Sequence, residues 1–148
     1  MSDPKYNTKK VGIFVDTSIL YHKVQRKFGA KLCYDAYYAV CAGLGSIIEA
    51  IAYGMQINSE AGGFINCLKI TGFDAKFKRP KILTFDDHKL KFCNWDSVMT
   101  LDIVRLIHAG GLDIVIIGSA NLDLIPLIKW IRTHGIFVII LSAIFWKT

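Results

Sequence analysis

Along the chain, predominantly apolar runs alternate with amphipathic stretches. "VGIFVD" (11–16), "IIEAIAYGMQI" (47–57), "LDIVIIG" (112–118) and "IFVIIL" (136–141) are apolar on successive positions rather than on every second one. Strands of that kind are buried on both faces, which marks a parallel sheet covered by helices. The spacing between them predicts helices over "TSILYHKVQRKFG" (17–29), "YDAYYAVCAGLGS" (34–46), "EAGGFINCLKITGF" (60–73), Asp96 to Ala109 and "LDLIPLIKWIRTHG" (122–135). Gly29 and Gly135 close two of them, and Pro126 falls near the start of the last. "DAKFKRPKIL" (74–83) alternates like a more exposed strand, and "TFDDHKLKFCN" (84–94) is a polar stretch with a turn at Asp86–His88. Strands alternating with helices predict a three-layer α/β fold with a mainly parallel sheet of about five strands.

In such sheets ligands bind at the carboxyl ends of the strands. Asp16 ends the first strand, and Gly118 to Asp123 follow the fourth. If those strands are neighbours, Asp16, Asn121 and Asp123 converge on one edge. Each also has a plainer reading, because Asp and Asn cap helices and an acid in a first turn suits the helix dipole. Asn94 competes with Asp96 for the cap of its helix.

Composition narrows the classes. The chain has 148 residues, 53% of them hydrophobic, with a mean hydropathy of +0.38. Its longest apolar runs fall short of the roughly 18–20 residues that span a bilayer. One domain over residues 1–148 is expected, with 1–10 a flexible N-terminal segment. "MSDPKYNTKK" has no signal-peptide pattern, so a cytoplasmic protein without a membrane partner is expected. Cys33, Cys41, Cys67 and Cys93 are scattered, which points to reduced thiols. The net charge of +6 permits a polyanionic partner. "GLG" (43–45) lacks the third glycine of a dinucleotide fingerprint, and the four histidines have no ligand spacing. "AIFWKT" (143–148) reads either as the end of the last strand or as a homodimer contact.

Three segments together resemble the NYN family of PIN-like ribonucleases. "FVDTSIL" ends a strand in Asp16, with Ser18 two later. "CNWDSVMTLD" places Asp96 and Asp102 six apart, as in the family's K-G-x-D-x-x-x-x-x-D. "GSANLDLIPL" is similar to the family's S-G-D-x-D-F-x-P-L. The resemblance implies a PIN-like fold and a Mg²⁺ or Mn²⁺ ion held by Asp16, Asp96, Asp123 and the amide of Asn121, with Asp102 a further candidate. It implies a catalytic set of Asp16, Asp96, Asp123, Asn121 and Ser18, acting on single-stranded RNA. Lys23, Arg26, Lys76, Lys78, Arg79 and Lys91 would then contact phosphates. The sequence departs from the pattern at Asn121, where the family has Asp, at Cys93, where it has Lys, and at Leu124, where it has Phe. Two functions are open: a metal-dependent endoribonuclease, or a weakly active or inactive domain that binds RNA or protein. A nucleotide-binding α/β domain is a third, and it lacks a phosphate-cradling loop.

Overall fold

A computed structural model describes residues 9–17, 33–56, 61–119 and 121–142. In chain order these form β1 (Lys10–Asp16), α1 (Tyr34–Ala42), β2 (Ser46–Met55), α2 (Ala61–Thr71), β3 (Asp74–Lys78), β4 (Lys81–Phe85), β5 (His88–Phe92), α3 (Asp96–His108), β6 (Ile114–Gly118), a 3₁₀ turn (Leu122–Leu124), α4 (Ile125–Thr133) and β7 (Phe137–Ile140). Five strands make one sheet in the order β3-β2-β1-β6-β7, and all its pairings are parallel. The three-layer α/β architecture expected from the alternating runs is present. The helix expected over 17–29 falls almost wholly outside the described residues.

Burial explains the apolar runs. Six of the seven residues of β1 are buried, because the strand is paired on both sides and covered on both faces. Its side chains still alternate. Val11, Ile13 and Val15 join Tyr37 and Cys41 of α1 and Leu68 of α2 in one core layer. Phe14 joins Met99, Ile103 and Ile107 of α3, and Leu127 and Ile131 of α4, in the other. Helices from the first half therefore cover one face and those from the second half the other. The reversal of strand order lies between β1 and β6, where doubly wound sheets open a crevice. No helix among the described residues is long and apolar enough to cross a membrane. Burial pushes the Cys41 thiol up to about 12, so it stays protonated inside its layer.

The segment 74–94 departs from expectation. Residues 74–83 are two strands, not one. Pro80, which has no N–H for a ladder, sits in the break between β3, which joins the sheet, and β4, which leaves it. The stretch expected to be a polar loop contains β5, paired antiparallel with β4. Asp86 and Asp87 join them at φ 43° and 63°, the pair of positive φ values that a tight two-residue hairpin turn of the I′ kind requires.

A buried polar cluster ties the second-half layer to the sheet. Tyr53 on β2 is fully buried and donates its hydroxyl to Asp102 Oδ2 at 2.7 Å. Lys76 on β3 donates to the same oxygen at 3.0 Å. Burial, then the bond to Asp102, raises the tyrosine's pKa well above its ordinary value, so it remains a donor. Tyr53→Phe leaves this nearly buried carboxylate with the lysine alone. The expected loss is about 1–3 kcal/mol of unfolding free energy, read from urea denaturation. An unchanged midpoint would show that the tyrosine's hydrogen bond contributes nothing to stability.

Candidate functional site

The carboxyl end of β1 is fixed by its neighbours. Asp16 lies opposite Tyr53 of β2 in the ladder and is 2% exposed. The next residue, Thr17, donates its hydroxyl to the Tyr53 carbonyl at 2.9 Å, so the chain is anchored as it leaves the strand. Gly54 keeps this corner closed. A Cβ there would strike the Phe77 ring and stand 2.7 Å from Thr17 Oγ1.

The start of α3 is pinned to the same corner. Trp95 is buried and donates its indole N–H to the Gly54 carbonyl at 2.9 Å. Lys78 Nζ lies 4.3 Å above the Trp95 ring and donates to the Asn94 carbonyl at 2.7 Å. Asn94 Oδ1 accepts the backbone N–H of Asp96 at 2.7 Å. The N-cap position itself is Trp95, which makes no side-chain cap. Asn94 satisfies the first helical N–H from one residue further out, and the Asp96 carboxyl is left for other partners.

The third element is the segment after β6. Ser119 is buried, and its Oγ accepts the Asn121 N–H at 3.2 Å. The Asn121 side chain works at both ends. Its Oδ1 accepts the Asp123 N–H at 3.1 Å and caps the 3₁₀ turn, while its Nδ2 donates to Asp96 Oδ2 at 2.5 Å. Capping and participation in the acidic edge are therefore both true of this residue.

Electrostatics join the acids. The Asp96 pKa is raised, first by burial and then by the negative charges of Asp16 and Asp123; the hydrogen bonds from Asn94 and Asn121 pull it back. Asp16 also acts on Cys93, whose thiol is raised mainly by burial, with Lys78 opposing the rise. Three carboxyls from β1, α3 and the 3₁₀ turn thus share one field at the carboxyl edge of the sheet. The donors are all oxygen atoms, a set suited to a hard divalent cation. Among the described residues, however, no three His, Cys, Asp or Glu side chains close up into a ready-made metal-binding group.

Other sequence candidates lie elsewhere. Asp102 is six residues beyond Asp96, about 600° of helix turn, and its carboxylate is taken by Tyr53 and Lys76. Lys76 is committed to that ion pair. Lys78 reaches the rim of the acidic edge through Asn94 and Trp95, and Arg79 is exposed beside it. Lys91 is in β5. Ser18, Lys23 and Arg26 lie outside the described residues. Sequence reasoning passed over Thr17, Gly54 and Tyr34. The Tyr34 hydroxyl is buried without a hydrogen-bond partner among the described residues, and its pKa is raised by burial and then by the charge of Asp16. Within "YDAYY" nothing distinguishes that tyrosine from a packing residue.

A structure from Vibrio parahaemolyticus, described as a protein of unknown function, is similar to this fold. It is 23% identical, with a TM-score of 0.77 over 95% of this chain and 83% of that one. No curated protein matches the sequence. The family model for the NYN domain matches residues 10–148, a span that takes in β1 and all three acidic segments. On that match, the chain belongs to the NYN domain family of PIN-like nucleases.

Proposed function

We propose that the chain is a metal-dependent endoribonuclease that hydrolyses phosphodiester bonds of single-stranded RNA. The observation that carries this reading is the acidic edge itself. Asn121 bonds Asp96 on one side and the Asp123 amide on the other, and burial first, then the negative charges of Asp16 and Asp123, oppose the ionisation of Asp96. Carboxylates held together at such a cost favour a cation among them. Asp16, Asp96 and Asp123 are the residues to hold Mg²⁺ or Mn²⁺, with Asn121 beside them. When bound, such an ion supplies positive charge to the phosphodiester and makes a bound water more acidic.

The protein's own groups do the rest. Asp16 is buried, so its charge acts through a poorly screened medium. Trp95, locked to Gly54, fixes the helix start that carries Asp96. Asn121 donates to Asp96 and holds that carboxylate in one orientation. Lys78 and Arg79 stand at the rim, where a substrate phosphate finds positive charge without sequence preference. Ser18 follows Asp16 by two residues and is assigned to positioning a phosphate or water.

A second reading, a binding module with little catalysis, rests on a specific observation. Both polar ends of Asn121 are already engaged, one by Asp96 and one by the Asp123 amide. A residue so committed suits a fixed scaffold as well as a ligand.

Labelled single-stranded RNA incubated with Mn²⁺, Mg²⁺ or EDTA separates the two. Cleavage is expected with the metals and absent in EDTA. Asp16→Asn or Asp96→Asn should lower it by more than about 100-fold, beyond what loss of a supporting hydrogen bond costs. Cleavage that survives EDTA or both substitutions rules the enzyme reading out.

The raised pKa of Asp96 gives a stability test. An acid whose pKa is higher in the folded than in the unfolded state holds its proton more tightly when folded. Its contribution to stability is fully present below the unfolded value and is lost as pH rises through the raised folded one. At neutral pH without metal, Asp96→Asn is therefore expected to melt above the parent protein. The order should invert when Mn²⁺ is added, because only the parent gains a ligand that binds the native state. A lower melting temperature for Asp96→Asn in EDTA would show that the carboxylate is net stabilising and the repulsion minor.

Asn121→Asp restores the family's acid. It keeps a cap of equal quality, but replaces the donor facing Asp96 with a like charge. Metal-free stability should fall, and calorimetric titration should show tighter Mn²⁺ binding than in the parent. Equal affinity in the two proteins would leave Asn121 outside the ion's reach.

A further inference from the structure

We propose that the β4–β5 hairpin is an arm that binds single-stranded RNA, continuing the path of the strand beyond the acidic edge. This deepens the RNA reading above and rests on it for the identity of the substrate. The arm stands away from the sheet. Every residue from Lys81 to Leu90 is exposed, and the two strands pair with each other as a separate two-stranded sheet. An isolated hairpin of this size is marginal in water, so a ligand that covers it contributes to its order.

The surface of the arm has a defined chemistry. Leu83 faces Leu90 and Phe85 faces His88 across the ladder, so these four side chains share one face. Phe85 is 73% exposed, and Leu83 and Leu90 are 58% and 61% exposed. An open antiparallel face with an exposed ring and imidazole offers unpaired bases a surface to stack on. The opposite face carries Ile82, Thr84 and Lys89. From Lys78 to Lys91 the sequence has five cations (Lys78, Arg79, Lys81, Lys89 and Lys91) against Asp86 and Asp87. That surplus attracts a polyanion. It opposes the alternative occupant, a second copy of this chain docked arm to arm, because like charges would be brought together.

The arm is also rooted close to the acids. Its two ends are tied where Lys78 bonds the Asn94 carbonyl, and Asn94 bonds the Asp96 amide. The arm therefore starts within two residues of an acid of the candidate site. Its strands extend about 16 Å at roughly 3.3 Å per residue.

The test measures binding of a fluorescent 12-nucleotide oligouridylate by anisotropy, with Asp16→Asn present in every protein so that no cleavage intrudes. Phe85→Ala is expected to weaken binding roughly five- to hundredfold, the loss of one stacked base. Lys89→Ala leaves the apolar face intact and should reduce the salt slope of log affinity by about 0.7. Unchanged affinity in the first and unchanged slope in the second overturn the proposal. So does a dimer that these substitutions convert to monomer in sedimentation while RNA affinity stays the same, because the arm is then a contact between copies. If the unsubstituted chain shows no metal-dependent cleavage but the arm variants lose RNA, the arm stands and the enzyme reading falls.

Discussion

Strand β1 is hydrogen-bonded along both edges and covered on both faces, and this double enclosure decides where the acids of the site can stand. No polar side chain can be placed along the strand cheaply until it ends. Asp16 comes at that point, already 2% exposed. Because β6 is one of β1's two neighbours, the segment after β6 emerges on the same edge. Because helices of the second half cover the Phe14 side, the start of α3 is brought there too. Three acids distant in sequence are thus carried to one edge of the sheet, within reach of each other's charge, by the placement of one enclosed strand.

Much of this was legible in the sequence because it depended on burial. Apolar runs identified β1, β2, β6 and β7, and with them came the place of Asp16 at the end of β1 and of Asp123 in the segment that follows β6. What was hidden depended on competition between neighbouring side chains. Asn94 and Asp96 are both good capping residues, and only the geometry assigns the Asp96 amide to Asn94. Asp102 shares a motif with Asp96, but the turn of the helix carries it to Tyr53 and Lys76. The hairpin escaped notice because its lysines and aspartates give residues 84–94 the composition of a loop. The signal was there in alternation and in the Asp86–Asp87 pair, whose positive φ values a hairpin turn needs.

The site and the fold make opposite demands on the same atoms. Burial, and then the charges of Asp16 and Asp123, raise the pKa of Asp96, and a fold optimised for stability alone would keep these acids in water and apart. The amide at 121 moderates that tension. It gives Asp96 a hydrogen-bond donor and adds no fourth charge. An amide also does not titrate, so its own state at this edge is the same in acid and in base.

The hairpin has a different relation to the fold. It leaves the sheet after Lys78 and returns at Asn94, and those two residues are bonded to each other at 2.7 Å. The intervening chain is a closed loop whose ends stay together whatever lies between them. Closure entropy grows only with the logarithm of length, about 0.6 kcal/mol for each doubling. Insertions and deletions between these roots are therefore nearly free of consequence for the enclosed strand and its acids. This makes the hairpin a part of the molecule whose length can change without disturbing the edge beneath it.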